Sequence, residues 1–494
     1  MTTSAQPAPS AEPASPPVAA ETGLRGNALG MFDSVVMAVA GSAPAYTIAG
    51  STAALIGAVA LAGPAALLYC GIPMLGIAWA FSYLNRIEAN AGASYAWVGR
   101  VLSPVLGFVA GWSLVVSATI FMVAGSLPAG SVTLGLFSTS AANNTGLVTA
   151  VGSVWFLVMV TLVIMGVQMT ARAQWIMSGI EVAILVLFAI LAIAHSVHHS
   201  VTTFSWSWFG LSHFNGVAGF AAGGLIAAFY YWGWDVSSNL NEEMKDSKRT
   251  AGLGGIIGVV IVFALYEIFT VATNLAMPAK TIQNNAGDVL AVLGQLVWHG
   301  TGGKLLVIAV MLSTIATLET TLIQVTRTLF AMSRERTLPR FLGRIHPSRQ
   351  TPWIATIAVA VVSLGLFVGS NYLGSVSKIL TDGIDAIGIQ IAVYYGLAGV
   401  TVVVAFRKVL FKSVKNFLLI GVWPFVGAAF MFWILGEFVS TNLSDAVVIW
   451  VGLGGLAIGI IPLVIYWALG SPYFKQRPTL GSVAPEETSG LEVP

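Results

Sequence analysis

The side chains best suited to chemistry in this sequence are acids that lie inside long apolar segments. Glu181, Glu267 and Glu319 each interrupt a hydrophobic run, and Asp382 and Asp385 interrupt a fourth. An ionised acid at the centre of a membrane-spanning helix costs about 2.5–3.5 kcal/mol on insertion scales. Such acids therefore usually face a cavity, pair with a cation or carry a proton.

Proton binding, binding of a cationic substrate and a purely structural role are the alternatives for these acids. Burial favours the neutral form of a carboxyl, which lets it bind and release a proton near neutral pH. Glu181 is the first candidate for proton or cation coupling and Glu319 is the second, and each has a structural hydrogen bond as its alternative. Glu267 and the Asp382/Asp385 pair are interpreted as structural or close to the membrane surface.

Two of the apolar segments are interrupted by residues that break helices. Gly41 and Pro44 lie within the first, and Gly233 and Asp235 interrupt the sixth beside large aromatic residues. Backbone groups freed in this way are tolerated inside a membrane only where they line a cavity or bind something. The alternative is ordinary helix packing, since small residues are common in membrane helices.

The matched pair of interruptions predicts a substrate site. A half-helix N-terminus offers N–H groups to an anion such as a carboxylate, and aromatic rings can wall the site or stack on an ammonium. Asp235 would either bind that ammonium or hold the unwound backbone. The two roles cannot be separated by sequence.

Composition indicates that the whole chain is built into a membrane. Of 494 residues, 56% are hydrophobic and 9% are charged, whereas soluble domains carry roughly a quarter charged residues. The net charge of +2 gives no indication of nucleic-acid binding, and one cysteine, Cys70, excludes a disulfide within the chain. No cofactor or metal site is predicted. Twelve stretches are long enough to span a membrane: residues 28–58, 62–85, 102–136, 147–168, 173–194, 215–240, 251–277, 302–333, 353–371, 377–405, 414–437 and 445–469.

Positive charge predicts how these spans are oriented. All of the 22 lysines and arginines except Lys280, Lys304 and Lys378 fall on one side of the predicted spans. The positive-inside rule makes that side cytoplasmic, together with both termini. The interrupted segments are five spans apart, so the two halves run in opposite directions, a pattern that points to a transporter's midplane site.

A mixed-charge loop follows the second interruption, and it contains Glu242, Glu243 and Lys245. The first interpretation is a solvated cytoplasmic loop. The alternative is a gate, in which Glu243 pairs with Arg327 or Arg334 when the inner side is closed.

Three motifs resemble those of the amino acid–polyamine–organocation superfamily of permeases, over nearly all of residues 27–470. They are the first interruption at 41–46, the stretch Phe229 to Glu243, and the stretch Val325 to Glu335 with the Leu338-Pro339, His346-Pro347 and Thr351-Pro352 pairs that follow. The resemblance implies an all-α polytopic membrane protein with twelve transmembrane helices. These would form a five-plus-five inverted repeat of the leucine-transporter type, with broken helices one and six and two further C-terminal helices. The implied parts are repeat one at about 27–194, repeat two at about 214–405 and extra helices at about 414–470. Composition separately predicts a disordered cytoplasmic N-terminal tail at 1–26, rich in Ala, Pro, Ser and Thr, and a cytoplasmic C-terminal tail at 471–494.

The same resemblance implies roles for the interrupted helices. Backbone groups of Ser42, Ala43 and Ala45 would hold the substrate head, and one of the aromatic residues beside the sixth-span break would be a lid. Many family members have a lysine where this chain has Glu181, which suggests a titratable carboxyl in its place. The residues predicted to bind substrate are Gly41, Ser42, Ala43, Pro44, Ala45, Tyr230, Tyr231, Trp232, Gly233, Trp234 and Asp235.

The sequence therefore predicts a secondary permease that moves amino acids across a bacterial-type plasma membrane by alternating access, coupled to protons. An importer or exchanger of polyamines or other organic amines is the alternative. A channel fits two unlike interruptions poorly. An enzyme or nucleotide-driven pump lacks its motifs, since no HExxH, GxSxG ahead of a helix, or Walker A pattern occurs. The expected partners are a small amino acid or amine, protons and the lipid bilayer, and the oligomeric state is open.

Overall fold

The computed structural model describes residues 23–370, 372, 376–442 and 446–478, and within them the chain is helical with a single isolated bridge between Leu29 and Met244. Ten stretches of the described chain are long and apolar enough to cross a membrane. This confirms a polytopic all-α membrane protein. The count of twelve spans and the five-plus-five repeat stay predictions.

The first of these stretches, Met31–Ile87, is divided into three helices. Helix α1 (Met31–Ser42) starts where the Asp33 carboxylate accepts the N–H of Gly30 at 2.6 Å. Helix α2 (Pro44–Val59) begins with a proline, which needs no N–H partner at that position. Helix α3 (Gly63–Ile87) follows after one 3₁₀ turn.

The remaining helices follow in chain order. They are α4 (Ser94–Val101), α5 (Pro104–Gly135), α6 (Thr145–Met165), α7 (Val167–His199), α8 (Gly216–Tyr230), α9 (Val236–Asn239), α10 (Ser247–Ala276), α11 (Lys304–Arg334), α12 (Trp353–Ser370), α13 (Val376–Ala405), α14 (Trp423–Asn442) and α15 (Ile460–Ala468). Shorter helices lie between them, including Thr139–Ala142, Ala279–Asn284 and Val289–Val297.

Helix α11 is the central element of the bundle. The most apolar part of this helix is 78% buried within the protein, whereas that of the last apolar stretch, Val447–Ala468, is 17% buried. Because α11 is surrounded by protein, its polar residues need partners on other helices. It packs against α1, α2, α5, α6, α7 and α9. It is therefore next to both predicted interruptions.

One end of the bundle, which we call the basic end, gathers the connections rich in lysine and arginine. Leu24 packs there with Ala91 and Phe330, and the backbone N–H groups of Ala28 and Leu29 donate to the Glu243 carbonyl at 2.9 and 3.1 Å. Residues 1–22 of the predicted N-terminal tail lie outside the described part. Residues 23–26 lie inside it, and Leu24 is buried.

The start of the predicted C-terminal tail also packs at this end. Residues Pro472–Lys475 form a helical turn. The Tyr473 ring is buried and stacks on that of Tyr95 with centroids 5.0 Å apart. Residues 479–494 of this tail lie outside the described part.

Candidate functional site

The first helix is interrupted at Ala43, as the sequence predicts. Ala43 has a left-handed backbone with φ of +48°, between the end of α1 at Ser42 and the start of α2 at Pro44. The carbonyls freed at the end of α1 are paired by side chains from distant helices. The Gly41 carbonyl accepts the Thr317 hydroxyl at 3.1 Å, and the Ser42 carbonyl accepts the Tyr266 hydroxyl at 2.8 Å.

The N–H groups at the start of α2 are paired as well, and one of them binds a carboxylate. Ala45 N–H donates to Oε1 of Glu181 at 2.9 Å, and Tyr46 N–H donates to the Ser313 hydroxyl at 3.1 Å. Glu181 is fully buried, and its second oxygen, Oε2, has no hydrogen-bond partner among the described residues. A carboxylate at a helix N-terminus is stabilised by the helix dipole and by charge-assisted hydrogen bonding.

The second interruption, also predicted, separates α8 from α9. Helix α8 ends at Tyr230 and α9 begins at Val236, and Gly233 between them has φ of +96°. Gly233 lies directly against Gly41. A Cβ atom added to either glycine would come 2.2 Å from the other's carbonyl oxygen. The two interruptions therefore touch through main-chain atoms.

Asp235 holds two distant helices at the second interruption. Its Oδ2 accepts Gln324 Nε2 of α11 at 2.7 Å, and its Oδ1 accepts the Tyr395 hydroxyl of α13 at 2.8 Å. Asp235 is completely buried. Both carboxylate oxygens are thus engaged by side chains within the chain.

The aromatic residues of this interruption point in different directions. Trp232 donates its indole N–H to the Tyr394 hydroxyl at 2.7 Å and meets Phe121 edge-on at 5.3 Å. Tyr231 donates to the Leu67 carbonyl of α3, and the Tyr230 hydroxyl bonds that of Thr52. Trp234 stacks on Tyr395. Trp232 is the one of these four that packs between α5 and α13.

A cavity of about 250 Å³ lies on the side of the interruptions away from the basic end. Its walls come from α2, α8, α13 and α14, and they are mainly apolar. Ser51, Asp385 and Phe229 are among the residues that line it. Phe229 precedes the predicted aromatic group by one residue, and sequence reasoning left it out of the site.

Two ion pairs lie at the basic end. Arg327 makes a bidentate contact with Glu243 at 3.0 and 3.2 Å, and Arg334 makes another with Glu242 at 2.9 and 3.1 Å. Burial raises the pKa of Glu243, and the Arg327 charge only partly offsets this. The interpretation of this loop as solvated is wrong for both glutamates, which are buried, although Lys245 is exposed. The pairing expected of a closed gate is present.

The other predicted acids are separated from this gate. Glu319 accepts Gln174 Nε2 of α7 at 2.7 Å, and its Oε1 has no partner among the described residues. Both oxygens of Glu267 on α10 are also buried without a partner there. Asp382 pairs with Lys378, one turn away, at 2.8 Å. In the described residues, therefore, Glu181 is the acid in direct contact with the first interruption.

Sequence comparison decides the family. The family model described as amino acid permease matches residues 29–476, nearly the whole chain. The chain belongs to the amino acid permease family. This permease is accordingly a transporter and not an enzyme.

Its relatives have diverse cargos. A serine/threonine exchanger of Bacillus subtilis is 24% identical over 75% of this permease and 81% of its own length. A methylthioribose transporter of the same organism is 23% identical over 81% and 87%. A low-affinity putrescine importer of Escherichia coli is 26% identical over 61% and 66%. The permease is therefore similar to carriers of both amino acids and an amine.

Five residues that position the interruptions were not found by sequence reasoning. Thr317, Tyr266 and Ser313 bind the first interruption, and Gln324 and Tyr395 bind the second. Buried polar residues on the most apolar helices were a usable signal, because each must find a partner inside the protein. Which partner each one takes depends on helix packing that no single segment encodes.

Proposed function

We propose that this permease carries amino acids by alternating access and couples their movement to protons through Glu181. The observation that supports the proposal is the hydrogen bond from Ala45 N–H to the Glu181 carboxylate at the start of α2. An ionised carboxylate binds a helix N-terminus more strongly than a neutral one. Protonation of Glu181 would therefore loosen the tie between α2 and α7.

The hydrogen bond from Ala45 to Glu181 would also link protonation of Glu181 to movement of α2. In this proposal, α2 is free to tilt against α7 when Glu181 is protonated, and it is fixed when the proton leaves. A lysine at this position has no acceptor and could not bind the N–H of Ala45. The Glu181 carboxyl would thus act on α2, the second half of the interrupted first helix, by accepting a backbone N–H that a lysine could not accept.

The basic end is proposed to face the cytoplasm, as the charge distribution predicts. Its ion pairs then form an inner gate, and the cavity bounded by Phe229 and Asp385 lies on the outer side. Substrate would enter by that cavity and bind beside Trp232, next to the point where the two interruptions touch. Asp235 is a positioning residue in this scheme, since Gln324 and Tyr395 occupy both of its oxygens.

Import of an organic amine is the second candidate function. The fully buried charged side chains of the described chain are Glu181, Asp235, Glu242, Glu243, Glu319 and Arg327, an excess of acids. An acidic interior favours a cationic cargo. One relative is a putrescine importer, and Asp385 is placed where it would meet a cation in the outer cavity.

Transport by purified protein in liposomes tests both candidates. Radiolabelled L-serine, L-threonine, L-lysine and putrescine are supplied with and without an inward proton gradient, to wild type and to Glu181→Gln. We expect the gradient to raise amino acid uptake at least fivefold in wild type and to have no effect in the variant. Glu267→Gln, which removes a buried carboxyl elsewhere, should keep the wild-type response.

Two results would contradict the leading proposal. Gradient-stimulated uptake that survives in Glu181→Gln would remove Glu181 from the coupling step. Uptake of putrescine alone, indifferent to the gradient but exchanged against internal putrescine, would establish the amine carrier instead.

A further inference from the structure

One face of α7 carries a line of buried polar residues that runs from the first interruption toward the basic end. The residues are Thr170, Gln174, Ser178 and Glu181, spaced so that they lie on the same side of the helix. All four are less than 4% exposed. Glu319 of α11 faces the line at Gln174, to which it is hydrogen-bonded.

Four atoms along this line are buried without a hydrogen-bond partner among the described residues. They are Glu181 Oε2, Ser178 Oγ, Gln174 Oε1 and Glu319 Oε1. Leaving a buried polar atom unpaired is unfavourable, and native proteins have few such atoms. Other such atoms occur elsewhere in the described chain, but these four follow one another along the buried face of α7 and the Glu319 side chain of α11 that meets it. An interface of this kind is suited to groups that exchange protons.

The line has a direction. Glu181 touches the first interruption. Gln174 is seven residues earlier on α7, about 10 Å along the helix and closer to the basic end, and Glu319 binds it there. The Thr170 hydroxyl interacts with Glu319 and also donates to the Gly166 carbonyl, at the start of α7. Arg349 of the basic end donates to the neighbouring Met165 carbonyl.

We propose that the proton carried by Glu181 leaves toward the basic end along this face of α7, and that Glu319 is the carboxyl that receives it. The proposal rests on the proposed function, because it assumes that Glu181 is the coupling site. Glu181 is too far from Glu319 for a direct transfer. Water entering beside Ser178 takes the proton from the Glu181 carboxyl, and the Glu319 carboxylate accepts it. Only O–H bonds break and form, and the charge moves by one proton.

Glu181 and Glu319 are the two carboxyl groups on this route, and the side chains beside them are as follows. Tyr266 of α10 and Ser313 of α11 lie beside Glu181, and Thr170 and Gln174 lie beside Glu319. Among the described residues no ion pair includes either acid. The nearest buried cation on α11, Arg327, is eight residues farther along and is held by Glu243. None of these neighbours is a cation that would hold either carboxyl in its charged form.

The experiment compares net proton-driven uptake with substrate exchange in the same liposomes. The probes are a mixture of radiolabelled L-serine, L-threonine, L-lysine and putrescine, with pyranine in the lumen to report proton entry. Counterflow at equal pH on both sides measures the amount of functional protein. Net uptake divided by counterflow then reports how fast the proton is released. Glu319→Gln is compared with wild type, Glu181→Gln and the control Glu267→Gln.

We expect Glu319→Gln to lower this ratio at least fivefold, with proton entry falling in parallel, while the remaining uptake still responds to the gradient. Glu181→Gln should instead lose its response to the gradient, and Glu267→Gln should match wild type. A wild-type ratio in Glu319→Gln together with an uncoupled Glu181→Gln would overturn the route but leave the proposed function standing. A normal response in both variants would overturn both.

Ser178→Ala decides the matter if Glu319→Gln does not fold. It removes one hydroxyl without introducing bulk, and Ser178 makes no hydrogen bond that the fold depends on. A ratio lowered at least threefold would support the route. A ratio equal to wild type would exclude this face of α7 as the path.

Discussion

At the scale of single residues, the proposed inner gate consists of two neighbouring acids that bind different arginines. Glu242 and Glu243 reach Arg334 and Arg327, which are seven residues apart on α11 and so lie on one side of it. The Glu243–Arg327 pair is almost fully buried, at 0% and 1% exposure, whereas the Arg334 side chain is 28% exposed. Removing one partner of a buried pair leaves the other charge uncompensated.

Glu243→Gln should therefore destabilise the closed inner gate by about 3–5 kcal/mol. A cysteine at Thr320, in a Cys70→Ser background, should then react faster with a charged thiol reagent added at the basic end. The control is Asp382→Asn, because the Asp382–Lys378 pair is separate from this gate and Lys378 is 52% exposed. Exposed pairs contribute about 0–1 kcal/mol. Equal labelling rates in both variants would show that the buried pair does not gate access.

The burial of these acids illustrates the limit of sequence reasoning at this scale. A run such as Glu242 to Arg249 has the composition of a solvated loop, and residues from Lys245 onward are indeed largely exposed. The first two acids are buried because Arg327, Arg334 and the N–H of Ala91 bind them. Those partners are more than 80 residues away in the chain, so local charge could not reveal them.

At the scale of helices, the interruptions were predictable because glycine and proline mark them directly. The boundaries were less so. The fifth span was predicted from residue 173, but α7 begins at Val167, since Arg172 lies on its exposed side and Thr170 and Gln174 on its buried side. Polar residues lower local hydropathy without ending a helix when protein surrounds them. The contact between Gly41 and Gly233 required the three-dimensional arrangement of both segments.

Gly41→Ala should separate the two interruptions. The new Cβ would meet the Gly233 carbonyl oxygen at 2.2 Å, which no side-chain rotation can relieve. We expect transport to fall at least tenfold and the melting temperature of the purified protein to drop by several degrees. Gly179→Ala is the control, since nothing lies within 4 Å of its Cβ position. Wild-type transport by Gly41→Ala would mean that the interruptions can move apart without loss of function.

At the scale of the whole molecule, the charge bias and the structure agree on which connections lie together. Leu24, Ala91, Phe330 and Ile345 pack at the basic end, and Lys304 donates to the Leu136 carbonyl at the opposite end. The number of spans and their sidedness stay predictions, which rest on composition and loop charge over the entire chain. The specific pairing of helices depends on packing between distant segments.

Cysteine labelling tests the predicted sidedness in whole cells. In a Cys70→Ser background, Arg25→Cys and Arg336→Cys should react only after the membrane is made permeable, while Lys280→Cys should react in intact cells. The positive-inside rule gives this order because Arg25 and Arg336 lie on the basic side and Lys280 on the other. Labelling of Arg25→Cys in intact cells would reverse the orientation and place the ion-pair gate outside.

The two interruptions contact each other through main-chain atoms alone. The carbonyl oxygen of Gly41 lies against the α-carbon of Gly233, and that of Gly233 lies against the α-carbon of Gly41. Neither Phe229 nor Trp232 takes part in this contact. Residues such as Phe229 and Trp232 can change in size and polarity without loosening it. We therefore expect that substrate preference can change through the residues around the cavity while this main-chain contact stays the same.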